Sequence, residues 1–436
     1  MQPTSIRPRP TGGSRPRRRG DQVAVPCWFM RGGTSRGPFF RATDLPSDGA
    51  NRDAALLAAM GSPDPRQIDG LGGGTPLTSK AGIVGLSTRA DADLDFRFAQ
   101  LQPGSDLVDT TPNCGNMLAA VVPFAVESGL LTPRGDTTTA RVRTLNTGLT
   151  AEITVPTPQG ESGRYVAYAG DTRIDGVPGS AAPVTVNFLD TAGSVCSALL
   201  PTGRTREPVA VEGIGTIEVT CIDNGQPLVI AEASALRRTG YESVAELNAD
   251  TELKTRLEAL RLACGELMGL GDVTAKNYPK MTLVAPGAHG GTISTRSFIP
   301  HVCHESIGVL AAVTVATACV LDGTVAHALI RPPASATGTD GTDGAEGADG
   351  AEGADSTDVA VSVEHPAGEF SVELGLALGS PHGTETGAGP GPAAYEPPRV
   401  TKSALVRTAR LIMAGEVLLP GRLWPHDPAY PEEPKR

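Results

Sequence analysis

Aromatic side chains are scarce, at 4 % of the 436 residues, while glycine (53) and proline (37) are plentiful. Few rings and many turn formers argue against a helical bundle and for many short strands. Charged residues are also few, at 19 %, and their formal balance is −11, so a general nucleic-acid-binding surface is excluded. The seven cysteines (27, 114, 196, 221, 264, 303 and 319) form no CxxC pair. Neither a disulfide framework nor a zinc ribbon is therefore indicated, and free thiols in a cytoplasmic protein are expected. The longest apolar stretch, Ile307 to Leu321, is too short to span a bilayer, so no membrane partner is expected. His301, Cys303 and His304 have no second ligand cluster, and Gly70–Gly74 is not followed by the Gly-Lys-Ser/Thr of a phosphate loop. No metal and no organic cofactor are expected.

The first twenty residues are rich in arginine, with no acidic residue, and read as a disordered basic tail outside the fold. A first domain is expected over 21–182, completed by 400–420, and a second over 183–399. Within the second, the small, acidic, repetitive stretch 332–358 reads as a disordered insertion, and Gly379 to Pro398 as a second loose stretch. Strands are predicted at Val23–Phe29, Ala81–Ser87, Leu94–Gln100, Arg141–Thr144, Ala151–Val155, Tyr165–Tyr168, Thr185–Leu189, Thr216–Ile222 and Met281–Ala285. A hairpin is predicted over 359–374 and a last strand at Ala404–Met413. Helices are predicted at Asn51–Met60, Asn116–Glu127, about Val244–Met268, and Ser306–Leu321. Both halves thus set short strands around one apolar helix that starts after a polar motif.

Three glycine-rich motifs stand out: Met30-Arg31-Gly32-Gly33-Thr34-Ser35-Arg36-Gly37, Asp69 to Gly74 followed by Thr78-Ser79-Lys80, and Asn113-Cys114-Gly115-Asn116-Met117. Glycine lets backbone N–H groups converge on an anion, so one composite site for a small carboxylate is expected. Lys80 and Cys114 are the candidates for moving a proton there. A lysine acts as a base only when neutral for part of the time, which burial and neighbouring cations promote. Arg31 and Arg36 supply such cations and can bind carboxylates. A cysteine at a helix N-terminus is well placed to give or take a proton, and the N–H groups of Gly115 and Asn116 would face developing negative charge.

These motifs together resemble the 2-methylaconitate cis-trans isomerase and 4-oxalomesaconate tautomerase family (PrpF-type). Weaker echoes at Pro279-Lys280-Met281, Asp322-Gly323-Thr324-Val325 and Arg407-Thr408-Ala409-Arg410 extend the likeness over most of 23–420. The resemblance implies an α+β, diaminopimelate-epimerase-like fold of two pseudo-symmetric domains, each a curved β-sheet around a central helix. It implies a cofactor-independent isomerase that shifts a proton over three atoms of an unsaturated di- or tricarboxylate, such as 2-methylaconitate or 4-oxalomesaconate. Lys80 and Cys114 would be catalytic. Arg31, Gly32, Gly33, Thr34, Ser35, Arg36, Gly73, Thr78, Ser79, Asn113, Gly115, Asn116, Met117 and Lys280 would bind substrate. The chain departs from the family pattern at Arg36, where a lysine is usual, and at Gly308-Val309-Leu310-Ala311, where a Thr-Gly-type pair is usual. A homodimer is left open. The alternatives are a racemase or epimerase of the same fold, with Cys303 as its second thiol, and a non-catalytic carboxylate-binding protein.

Overall fold

The computed structural model describes residues 15–211, 215–330, 356–377 and 399–424. The chain divides into two units, residues 1–189 with 406–436, and residues 190–405.

The first unit is built on the hairpin Gln22–Gly32 and Ser35–Arg41, closed by Gly33-Thr34. A crossover through the helix Gly49–Met60 makes Lys80–Leu86 parallel to Ser35–Arg41. Asp48 caps that helix by accepting from Asn51 N–H, and Gly61 ends it in the left-handed region (φ 79°). Leu94–Leu101 then pairs antiparallel with Lys80–Leu86. A second crossover, through the short helices Gly115–Leu118 and Val121–Glu127, leads to Thr137–Thr144, parallel to Leu94–Leu101. Thr150–Pro156 and Pro183–Phe188 continue the sheet, and residues 409–420 of the long strand Arg399–Pro420 pair with Gln22–Gly32 at the other side. The central helical segments pack against strands 22–32, 35–41, 80–86, 137–144 and 150–156, so the sheet curves around them. Phe124 of the central helix meets Trp28 edge-on at 5.3 Å and Phe39 at 5.6 Å. Aromatic residues are few, but they are concentrated at this core, where each removes a large area from water.

The second unit repeats the order of pairings. Gly215–Asp223 and Pro227–Glu232 form a hairpin, and Lys280–Pro286 follows parallel to the latter after the helices Val244–Ala249 and Thr251–Leu267. Ile293–Phe298 pairs antiparallel with Lys280–Pro286. Then comes the crossover helix Val309–Val320, a parallel step to Ser356–His365, and the hairpin to Gly368–Ala377. The helix Val309–Val320 packs against strands 215–223, 227–232, 356–365 and 368–377. It is apolar all round because it is buried all round. Its polar residues are satisfied locally: Thr317 Oγ1 donates to Val313 O and accepts from Asn224 Nδ2 at 2.8 Å. Each unit is therefore a curved sheet around a central helix, and the fold is α+β.

Several sequence expectations are corrected. Arg17–Arg19 is not tail but a strand paired with Gln22–Ala24, with Arg17 ion-paired to Glu416 at 2.8 Å. A strand with no apolar face leaves no periodic signal. Residues 1–14, 331–355 and the whole of 379–398 lie outside the described residues, while 356–358 of the expected insertion belong to a strand. The first central helix breaks at Ala119-Ala120 because Pro123 lacks an N–H and its ring opposes the carbonyl four residues back. The charged helix breaks at Asp250, whose side chain instead caps Thr251–Leu267 by accepting from Leu253 N–H. The helix expected from Ser306 starts at Val309, since Gly308 is extended (ψ 148°). Tyr165–Tyr168 is not a strand; it is extended chain held by isolated bonds, such as Ala167 N–H to Pro156 O. Among the described residues no helix is long and apolar enough to cross a membrane.

Candidate active site

The three motifs fold as one cluster in the first unit. Lys80 is the first residue of its strand and Cys114 the residue before the helix Gly115–Leu118. Lys80 Nζ lies 3.6 Å from Cys114 Sγ. It donates to Gln100 Oε1 at 2.9 Å and stands 5.1 Å from the centre of the Phe98 ring. Lys80 is 8 % exposed and Cys114 is half-buried. An amine and a thiol at this separation can exchange a proton directly.

Backbone packing fixes the pair. A Cβ on Gly37 would lie 1.8 Å from the Lys80 carbonyl oxygen, so only glycine lets the two strands approach there. Gly33, in the left-handed region (φ 49°), leaves room for the Asn116 side chain, whose Nδ2 donates to Thr34 Oγ1 at 2.9 Å. A Cβ on Gly32 would meet Asn116 O at 2.2 Å. These glycines bring the helix start against the hairpin.

In the glycine-rich segment before Lys80, residues 71–74 do not offer free N–H groups as the sequence expectation has it. Its N–H groups are spent on the protein: Leu71 on Ala59 O, Gly72 on Met60 O, Gly73 on Thr78 O, and Gly74 on Gln67 Oε1. Gly33 N–H likewise donates to Thr408 O at 2.9 Å. Gln67 organises the loop. It is 1 % exposed, accepts from Ser79 Oγ at 2.8 Å and from Gly74 N–H at 2.9 Å, and donates to Ser62 Oγ.

The other expected site residues separate by role. Arg31 Nη1 is tied to Gly33 O and to the carbonyl and hydroxyl of Thr408, so this guanidinium braces the hairpin. Burial and nearby Arg410 weaken its hold on its proton relative to an ordinary arginine. Arg36 is exposed, with its Nη2 3.3 Å from where a Cβ of Gly73 would sit, and forms no ion pair among the described residues. Its guanidinium lies over the Phe29 ring, 5.8 Å from the ring centre. Ser35 is 2 % exposed and its Oγ has no partner among the described residues. Asn113 Nδ2 donates to Thr144 Oγ1 at 3.2 Å and to Thr147 Oγ1. Gly115 and Asn116 form the first turn after Cys114, where helix N–H groups have no intrahelical acceptor. Thr78 Oγ1 faces Thr75, and Met117 is fully buried in the core. Lys280 belongs to the second unit.

There the same plan recurs with one substitution. Lys280 is the first residue of the strand after the first crossover, as Lys80 is, and Gly308 caps the central helix where Cys114 does in the first unit. Lys280 Nζ is 3.8 Å from the Cβ position of Gly308. Burial lowers the Lys280 pKa. Cys303 is not the missing thiol: it is 1 % exposed in the core, and burial pushes it up to about 11. Burial, and secondarily the Lys280 charge, lower the His304 pKa. Among the described residues no group of three metal-ligating side chains occurs.

Gln67, Gln100, Thr144, Asn146 and Thr147 escaped the sequence reading. Asn146 Nδ2 donates to Phe98 O and Thr110 O, while its Oδ1 accepts from Phe98 N–H. Only the pairing of Lys80 with Gln100 had an accessible signal, the alignment of two predicted strands.

A two-unit α+β scaffold that sets a buried lysine against a thiol at a helix start is, with the relatives that follow, that of an isomerase. The match is borne out by relatives. Residues 22–340 match the model of the PrpF protein family, and the chain belongs to that family. It is 49 % identical over 403 residues, covering 92 % of this chain and 98 % of the other, to the 4-oxalomesaconate tautomerase of Pseudomonas putida. It is 32 % identical to the 2-methyl-aconitate isomerase of Shewanella oneidensis, covering 92 % of this chain and 98 % of that one. A crystal structure of methylitaconate-delta-isomerase superposes with a TM-score of 0.73 at 29 % identity, covering 95 % of this chain and all of that one.

Proposed function

We propose that this cytoplasmic enzyme tautomerises an unsaturated tricarboxylate of the 4-oxalomesaconate kind, with Lys80 as base and Cys114 as acid. The observation that carries the assignment is the 3.6 Å contact between Lys80 Nζ and Cys114 Sγ. The likeness over nearly the whole of the P. putida tautomerase supports the substrate class.

In the forward step the neutral Lys80 amine removes a proton from the saturated carbon next to the conjugated system. The C–H electron pair moves into that system and negative charge gathers on the distant carboxylate or carbonyl oxygens. Arg36 and the N–H groups of Gly115 and Asn116 face that charge, and such donors are commonly worth on the order of 10²–10³ in rate. Cys114 delivers its S–H proton to the far carbon, which shifts the double bond. Lys80 ammonium and Cys114 thiolate then exchange a proton across their contact, restoring the starting pair. An epimerase needs a second thiol, and Gly308 stands at the matching place in the second unit.

The test is incubation with 4-oxalomesaconate, 2-methylaconitate, 3-methylitaconate and aconitate in D₂O, followed by proton NMR. The expected result is fastest conversion of oxalomesaconate, with deuterium at the newly protonated carbon. Exchange at one carbon with inversion and no double-bond shift would overturn it.

A further inference from the structure

Lys80 shares its cross-strand position with a residue whose amide oxygen accepts from it. Gln100 stands directly opposite Lys80 in the antiparallel ladder. Its Nε2 donates to Pro76 O at 3.1 Å, Ser79 O at 3.1 Å and Leu101 O at 3.2 Å. An amide nitrogen ringed by carbonyl oxygens cannot trade places with its own oxygen, because that oxygen accepts only. The amide orientation is therefore fixed, and Oε1 is left facing Lys80 Nζ at 2.9 Å.

The consequence is chemical. An amine and an ammonium both have a hydrogen to give Oε1, so Gln100 holds Nζ in either protonation state. With one hydrogen committed, the lone pair or the remaining hydrogens of Nζ are directed elsewhere, and Cys114 Sγ lies 3.6 Å away. A carboxylate in place of this amide would act differently, since its charge would favour the ammonium and remove the base. We infer that Gln100 is the positioning residue that aims Lys80 while leaving it free to be a neutral amine. This rests on Lys80 being the base.

The test compares the pH profiles of kcat/KM for Gln100→Glu and Gln100→Met with that of the parent. Both variants lose the three Nε2 donations equally, so a merely structural role predicts equal losses and unmoved profiles. The positioning role predicts opposite displacements. In Gln100→Glu the acid limb moves up by about one pH unit or more, the range for an opposite charge at contact. Activity at neutral pH then falls by about tenfold or more and recovers towards alkaline pH. In Gln100→Met the acid limb moves down, because an ammonium loses more than an amine when a carbonyl acceptor is removed. Each direction is decisive by itself, so one variant suffices if the other does not fold. Acid limbs that stay with the parent, or move together, would overturn the inference. Failure of the underlying mechanism has a separate signature, namely Lys80→Ala that still exchanges substrate protons with solvent.

Discussion

Seven cysteines contain one whose surroundings differ from the rest. Burial raises the thiols of Cys27, Cys319 and Cys303 and makes them packing residues; Cys114 and Cys196 are both half-buried, and it is Cys114 that lies beside Lys80. The motif Asn-Cys-Gly-Asn already marked it, since glycine and asparagine beside a cysteine are poor core material. Replacing Cys114 by serine should reduce kcat by about 10²-fold or less, a typical contribution of one general acid, because water can partly replace the proton donor. Steady-state rates with thermal unfolding as control measure this, and a loss matching or exceeding that of Lys80→Ala would favour thiol-based abstraction. Legibility at this scale was uneven. Lys80 and Cys114, which the fold sets 3.6 Å apart, stood out in the sequence because motifs advertise residues near in sequence. Gln67 and Gln100 were missed because an amide acquires its role from backbone carbonyls and N–H groups that the fold brings to it.

Among the elements, those with a clean period were readable and those shaped by a single local residue were not. Leu94–Leu101 largely alternates buried and part-exposed residues and Val309–Val320 is apolar but for Thr314 and Thr317, and both were expected within a few residues. The break in the first central helix needed the local effect of Pro123, and the strand Arg17–Arg19 has no apolar pattern at all. The hairpin around Gly33 carried a clear glycine signal with a structural meaning the sequence did not show: its glycines seat Asn116 and the Lys80 carbonyl. Gly37→Ala tests that meaning. The added methyl would meet the Lys80 carbonyl oxygen at 1.8 Å, forcing the strand beginning at Lys80 away. The variant should lose about 1–3 kcal/mol of stability, the usual cost of overpacking, and most of its kcat. Urea unfolding and turnover measure the two effects, and a variant with parental values in both would show that the strands do not need this approach.

Across the whole molecule the informative feature is a repeated order of pairings: hairpin, parallel crossover, hairpin, parallel crossover around the central helix, hairpin. The sequence hinted at this through two apolar helices after polar motifs, but no residue repeat carries it, because pairing constrains pattern more than identity. The repetition gives the asymmetry of the site its meaning. Lys80 and Lys280 occupy equivalent strand starts, while the helix-start position held by the thiol in the first unit is held by Gly308 in the second. One amine–thiol pair is suited to taking a proton from one carbon and returning it to another. The most direct test is solvent deuterium incorporation into substrate by Lys80→Ala, followed by proton NMR under conditions where the parent converts it. Loss of both turnover and exchange, by about 10⁴-fold with thermal unfolding unchanged, is the predicted result. Near-parental exchange in Lys80→Ala would contradict the assignment of Lys80 as the base.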